Sequence, residues 1–376
     1  MSNFVKTFLD GQEGKNLGLP TGLLSLDKAI HGLQKKTSIG VAAQPKVGKT
    51  TLVDYSFLIT PYLYMLSQNR LDDIEWIYYS YEIDRVSKEF KIAAYFMNYD
   101  YGLFDFEYKG ERYLICQDYL MGKLFHVNED GTRELIKLTE EHSDKLKAVY
   151  LARIVPMFGE YDEGGRKVRH GKIFFIEEPT NPTGGYKYIM GYAKRHGEFI
   201  YESYEWHNPD TNKVEEHRRI VGYKENNPHK FTVVITDHIR KWRKERGFTL
   251  KENMDKWLEY TTTLRNLCFF TFINVCHSNR QLANMERLKF AGEYIFPTAD
   301  DVKDTGNLAE ESTILMTLFN PSDEKYNLKK HFGVELENYP NYRSLHITES
   351  RYTECPVHMQ VNMFGNINLF TPLNTV

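Results

Sequence analysis

Ile39-Gly40-Val41-Ala42-Ala43-Gln44-Pro45-Lys46-Val47-Gly48-Lys49-Thr50 is the stretch on which the fold turns. Ile39–Ala42 reads as a short buried strand, and from Thr50 to about Gln68 apolar residues recur at helical spacing. A strand, a tight loop ending Gly-Lys-Thr and a helix together make a phosphate-binding loop. Backbone N–H groups along Ala43, Gln44, Pro45 (which has none of its own), Lys46, Val47, Gly48, Lys49, Thr50 and Thr51 are the expected cradle of a nucleotide. They point at the β-phosphate, where the helix dipole favours negative charge. Lys49 is expected to neutralise the β/γ oxygens, and the Thr50 hydroxyl to ligate Mg²⁺. Ala43 stands where the usual pattern begins with glycine, which alanine can replace only with a negative φ. The expectation is a site for ATP and Mg²⁺.

Composition bounds the rest. The 376 residues suffice for one large domain or two ordinary ones. With 41% hydrophobic and 26% charged residues, the balance is that of a soluble globular chain. No apolar run approaches a bilayer span, and Met1–Lys6 lacks the features of a signal peptide. Cys116, Cys268, Cys276 and Cys355 have no paired metal spacing, and Cys268 and Cys276, in or beside one strand-like run, read as buried thiols. A reducing cytoplasm fits this usage, and no membrane partner is expected. The net charge of −3 means that any nucleic-acid contact must come from local basic patches.

Strands and helices alternate along the chain. Residues 1–20 read as a short polar lead, and Pro20-Thr21-Gly22 marks entry to a domain spanning 21–376. Leu23 to Ile30 reads as a short helix, Ile74–Glu82 as a strand, and Arg85 to Met97 as a helix behind it. Lys172–Ile176, Phe231–Asp237 and Phe269–Val275 read as further strands, with helices at about 186–196 and 252–266. This alternation predicts βαβ crossovers and a largely parallel sheet. From Ile314 onward, Ile314–Phe319, Tyr342–Ile347, Val357–Phe364 and Ile367–Thr371 predict an antiparallel extension, with a turn at Gly365-Asn366. Two β-rich insertions interrupt the pattern at about 100–170 and 198–230. They read as surface insertions or as partner-binding decorations, because long inserts lower stability only slowly.

Two carboxylates fit ATP chemistry. Asp237 ends an apolar strand, where it can hold hydrated Mg²⁺ with Thr50. Glu82 ends the strand that follows the phosphate-loop helix, where ligand chemistry gathers at strand carboxyl ends. It is the expected group to orient or deprotonate the attacking water.

These motifs, in this order, resemble the helicase domain of DnaB-type replicative helicases. Thr21-Gly22, Leu26-Asp27, Gly32-Leu33-Gln34 and Val41–Thr50 carry the start of the resemblance. Tyr79-Ser80-Tyr81-Glu82-Ile83 is similar to that family's Ser-Leu-Glu-Met segment, whose glutamate is catalytic. Ile235–Ile239 is similar to its Walker B strand, and Cys276-His277-Ser278-Asn279-Arg280 to its γ-phosphate-sensing Ser-Gln-Leu-Asn-Arg. Asp304–Ser312 resembles its Glu-Ser-Gly-Ser-Ile-Glu-Gln-Asp-Ala segment, and Ile347–Arg351 lies where the family has Lys-x-Arg. The resemblance spans roughly residues 20–373. It implies a RecA-like P-loop NTPase: a mostly parallel sheet flanked by helices, with antiparallel C-terminal strands. It implies His277 as a sensor in place of glutamine, and Arg351 as an arginine finger reaching a neighbouring subunit, with Glu349 where the family has lysine. With about 20 residues before Thr21, the expectation is a version lacking the N-terminal primase-binding domain, as in phage and plasmid members. Val5, Phe8 and Leu9 would then pack the lead on an adjacent protomer.

Arg240, Lys241, Arg243, Lys244 and Arg246 follow the Walker B strand, and Arg280, Arg287 and Lys289 follow the fifth strand. In the resembled fold both loops face a central channel, where cations track single-stranded DNA without reading bases. The resemblance therefore implies a homo-oligomeric, hexameric ATP-driven helicase, with a primase or loader as further partner. A RecA-like recombinase filament and a non-motor ATP-binding adaptor are the alternatives.

Overall fold

The computed structural model describes residues 3–12, 16–162, 164, 166–209, 212–278 and 285–373, without the side chains at 3, 6, 7, 208, 285 and 303–306. Nine strands form one sheet: β1 (Ser38–Ala43), β2 (Ile74–Ser80), β3 (Ile173–Ile176), β4 (Phe231–Asp237), β5 (Thr271–His277), β6 (Ile314–Phe319), β7 (Tyr342–Ser350), β8 (Val357–Phe364) and β9 (Leu369–Pro372). Their order is β9-β8-β7-β6-β1-β5-β4-β2-β3. β6 through β3 run parallel, and β7, β8 and β9 extend the sheet antiparallel. This is the expected RecA-like α/β sheet with its antiparallel C-terminal strands.

The inner parallel strands are mostly apolar and buried because both faces are covered. In β4, Val233 and Ile235 enter one core layer and Val234 the other, following the period-two alternation of a strand. The lead carries a helix, α1 (Asn3–Gln12). Phe4, Val5, Phe8 and Leu9 recur at helical spacing in it and are all exposed. α2 (Leu24–Ile30) precedes β1. The helix after β1, α3, starts as Lys49–Asp54, widens into a π turn at Tyr55–Ile59 and continues as Thr60–Ser67. Pro61 has no N–H to donate four residues back, so the Phe57 carbonyl accepts from Trp76 Nε1 of β2 at 2.8 Å instead. With α4 (Arg85–Tyr101), this helix fills the first layer.

α5 (Glu140–Val149) lies inside the first insertion and packs against α4, capped by Thr139, whose hydroxyl accepts from His142 N–H. Around it are the hairpins Asp105–Tyr108 with Glu111–Leu114, Phe125–Val127 with Arg133–Leu135, and Gly159–Tyr161 with Lys167–His170. The second insertion is one long hairpin, Gly197–Asn208 with Lys213–Glu225. α6 (Pro182–His196) and α7 (Leu250–Cys268) cover the opposite layer. α7 ends on Phe269, whose φ of 60° is a left-handed cap, so β5 starts at Thr271 rather than Phe269. Cys268 and Cys276 are buried, as expected. Among the described residues no helix is long and apolar enough to cross a membrane.

Candidate active site

Strand register gathers the chemistry at one edge of the sheet. Ala43, the last residue of β1, lies beside His277 at the end of β5, and Asp237 of β4 lies beside Ser80 of β2. Ala43 belongs to the extended strand, which meets the condition an alanine there requires. The loop then turns through Lys46 (φ 64°) and Gly48 (φ 115°) before α3 begins. Only glycine takes φ near 115° without strain, and Met363 Sδ lies 2.0 Å from where a Cβ would stand.

Lys49 is buried against the loop that it serves. Its ammonium donates to the carbonyls of Ala43 (3.1 Å) and Gln44 (3.0 Å) and approaches His277 Nδ1 at 3.0 Å. Burial lowers its pKa to about 8, against the opposing pull of Asp237, Cys276 and Glu82. The Thr50 hydroxyl donates to Asp237 Oδ2 at 2.7 Å. A hydroxyl and a carboxylate side by side at a phosphate loop are hard oxygen donors, which fits Mg²⁺. Lys91 Nζ donates to Thr51 Oγ1 at 3.3 Å and so steadies the first turn of α3.

Glu82 lies two residues past β2 rather than in the strand, because β2 pairs with β4 only as far as Ser80 and Asp237. His238 Nε2 meets Glu82 Oε1 at 3.1 Å. The Arg240 backbone N–H donates to His238 Nδ1 at 3.2 Å, so Nε2 carries the ring proton and donates to the carboxylate. By the same logic, Lys49 on Nδ1 of His277 leaves its Nε2–H as a donor for an anion. Burial, then the charges of Lys49 and His238, lower the His277 pKa to about 4; burial also lowers that of His238. Both rings are therefore neutral near pH 7. Ligand atoms of Glu82, His238 and His277 lie within 4.8 Å of one another, the spacing of a metal triad. Each imidazole, however, has its lone pair spent on an N–H donor, so the group reads as a hydrogen-bond set around Glu82.

The basic segment after β4 is a built loop. Trp242 is buried among Tyr79, Tyr81 and Trp257, and its ring lies 2.5 Å from where a Cβ on Gly185 would stand. Glu245 accepts from Thr183 N–H and from Lys256 Nζ, while Asn253 donates to the Arg243 carbonyl. Lys241, Arg243, Lys244 and Arg246 are left exposed, and Arg240 is half-buried. Arg287 and Lys289 lie on the short helix Met285–Ala291. Lys289 is exposed, whereas Arg287 pairs with buried Asp301 at 2.7 Å and donates to the Phe296 carbonyl. Arg280 lies outside the described residues.

No protein-family model and no curated relative matches the sequence. Solved structures do match. The ATPase domain of G40P aligns over 99% of this chain and 97% of its own, with a TM-score of 0.60 at 12% identity. A DnaB-like replicative helicase, solved in a study of its interactions with primase, aligns over 99% of this chain and 66% of its own, with a TM-score of 0.60 at 13% identity. This chain has the fold of a DnaB-type helicase ATPase domain.

Within that DnaB-type fold, Arg351 is not part of its own chain's phosphate-loop edge. It follows β7, whose last residue Ser350 pairs with Ile314, itself beside Ile39 near the start of β1. That is the amino edge of the parallel strands, opposite Lys49 and Asp237. There Arg351 is exposed, and its guanidinium lies 3.4 Å from the Glu310 carbonyl.

Four residues near the site were not among the expected site residues. His238 directly follows Asp237 within the Ile235–Ile239 segment, and that position was its signal. Lys91 reads as an ordinary surface position of a helix. Arg343 Nε donates to the Val47 carbonyl at 3.2 Å, and Met363 packs over Gly48. The last two come from β7 and β8, about 300 residues after the loop that they hold, and no local pattern announces such a contact.

Proposed function

We propose that this chain is an ATP-driven motor that assembles into a ring, translocates on single-stranded DNA and unwinds duplex. The observation that carries the reading is the convergence of Lys49, the Thr50–Asp237 pair and the Glu82–His238 pair on one sheet edge of a DnaB-type fold. ATP takes the phosphate loop, and Lys49 and the α3 N-terminus hold its β/γ oxygens. Thr50 and Asp237 would hold Mg²⁺, which would supply charge neutralisation to the bound nucleotide. Glu82 orients water in line with the γ-phosphorus and accepts its proton as the bond to the ADP oxygen breaks. His277 Nε2–H senses the γ-phosphate from the end of β5. Lys241, Arg243, Lys244, Arg246 and Lys289 supply exposed cations for strand phosphates. The position of Arg351 at the opposite edge supports a finger role only toward a second copy of the chain.

ATP hydrolysis measured with and without single-stranded DNA, on wild type and Glu82→Gln, tests the reading. We expect strong stimulation by DNA, and a loss of about 10²-fold or more in the variant. Nucleotide binding without hydrolysis under either condition would return the chain to a non-motor adaptor. Filaments in place of rings in electron micrographs would favour a recombinase.

A further inference from the structure

One short segment engages the catalytic carboxylate and also carries the basic loop. His238 donates to Glu82 Oε1 at 3.1 Å, and Lys241 Nζ lies 3.7 Å from the same oxygen. The two contacts differ in kind. The His238 side chain is 3% exposed, and its tautomer is set by the N–H of Arg240, the next residue but one. Lys241 and Glu82 are 50% and 40% exposed, so their pair is screened by solvent and yields readily to a competing anion. The backbone between them and Arg243 is anchored by buried Trp242 and by the Arg243 N–H on the Thr180 carbonyl at 2.9 Å. The lysine side chain can therefore swing while the imidazole stays in place. Lys241 is contiguous with Arg243, Lys244 and Arg246, so an anionic polymer bound along these residues passes within its reach.

We propose that Lys241 gates Glu82: a strand phosphate and the carboxylate compete for its ammonium, and when the phosphate wins, Glu82 is left positioned by His238 alone. The inference rests on the ATPase reading above and adds to it a regulatory residue, Lys241, and a positioning residue, His238. A carboxylate oxygen engaged by an ammonium has fewer lone pairs for the proton of water. Removing the ammonium leaves the His238 N–H to orient the group, and stimulation by DNA then needs no large rearrangement.

The test is steady-state ATP hydrolysis with and without oligothymidylate, for wild type, Lys241→Met, His238→Ala and His238→Gln, with thermal melts as the folding control. Lys241→Met is expected to raise the rate without DNA about two- to fivefold, the scale of an exposed ion pair, and to shrink stimulation by the same factor. His238→Ala is expected to lower kcat with DNA about tenfold at nearly constant KM, as for loss of one hydrogen bond to a charged group. His238→Gln, which keeps an N–H donor, is expected to recover part of that loss. A Lys241→Met variant that binds DNA less tightly yet keeps the wild-type rate without DNA would make Lys241 a plain phosphate contact and overturn the gate. Wild-type hydrolysis insensitive to DNA would overturn it as well. A His238→Ala loss that glutamine does not rescue would overturn the positioning role. Absence of hydrolysis in the wild type would instead remove the ATPase reading itself, a result separable from the others.

Discussion

Lys49 spends its three protons on two loop carbonyls and His277, so any anion reaching it must compete for protons already given to neutral acceptors. Neighbours that fix a neutral imidazole recur away from this site. His331 is fully buried; its Nε2 donates to the Ile295 carbonyl at 2.8 Å, and its Nδ1 accepts from the Tyr342 hydroxyl at 3.0 Å. Burial lowers its pKa to about 4. In the unfolded chain the same ring takes a proton near pH 6.5. Between these values the unfolded state binds more protons, so the contribution of His331 to stability is present above pH 6.5 and is lost as pH falls toward 4. The full effect is roughly 3 kcal/mol. Urea midpoints measured from pH 7 to pH 4.5 should fall, with a slope about one proton shallower in His331→Asn. An unchanged slope would show that the ring is not held neutral. That His277 lies beside the phosphate loop was legible in the sequence. The tautomers of His277 and His238 were not, because each depends on a donor supplied through backbone geometry.

The phosphate-loop helix shows how far pattern reading reaches at the scale of an element. Its apolar spacing announced a helix from Thr50 onward, yet Asp54 in its first turns is wholly buried. Asp54 accepts from Lys88 Nζ of α4 at 2.9 Å and from the Tyr78 hydroxyl of β2 at 3.0 Å, and Lys88 is buried too. In sequence both charges look like solvated helix positions. Together they pin the loop's helix to the strand that leads to Glu82 and to the helix that follows. Removing one partner of a buried pair leaves the other uncompensated, at a cost of about 3–5 kcal/mol. Lys88→Met should lower unfolding stability by that amount in denaturant titration, and Asp54→Leu combined with Lys88→Met should recover most of it. If Lys88→Met costs under about 1 kcal/mol, the pair is not the tie that the geometry indicates. α1 is the converse case: Val5, Phe8 and Leu9 were legible as its apolar face, and they are exposed on the helix.

At the scale of the molecule, the sheet separates Lys49 and Arg351 onto opposite edges, so a chain cannot offer both to one nucleotide. Arg351→Ala should then lower DNA-stimulated hydrolysis about 10³-fold, the range found for arginine fingers. Mixing Arg351→Ala subunits with Glu82→Gln subunits should restore hydrolysis, since some interfaces regain both groups. Wild-type rates in Arg351→Ala would make it an ordinary surface arginine. The strand-loop-helix around Lys49, the alternation of strands and helices and the antiparallel tail were determined by the sequence itself, because each rests on local spacing and on residue types with one conformational use. The strand order, the approach of Arg343 and Met363 to the loop, the buried Asp54–Lys88 pair and the hold of His238 and Lys241 on Glu82 were decided only by the tertiary structure. Those contacts join residues up to about 300 positions apart, and their strength comes from burial and register, which a linear pattern does not encode.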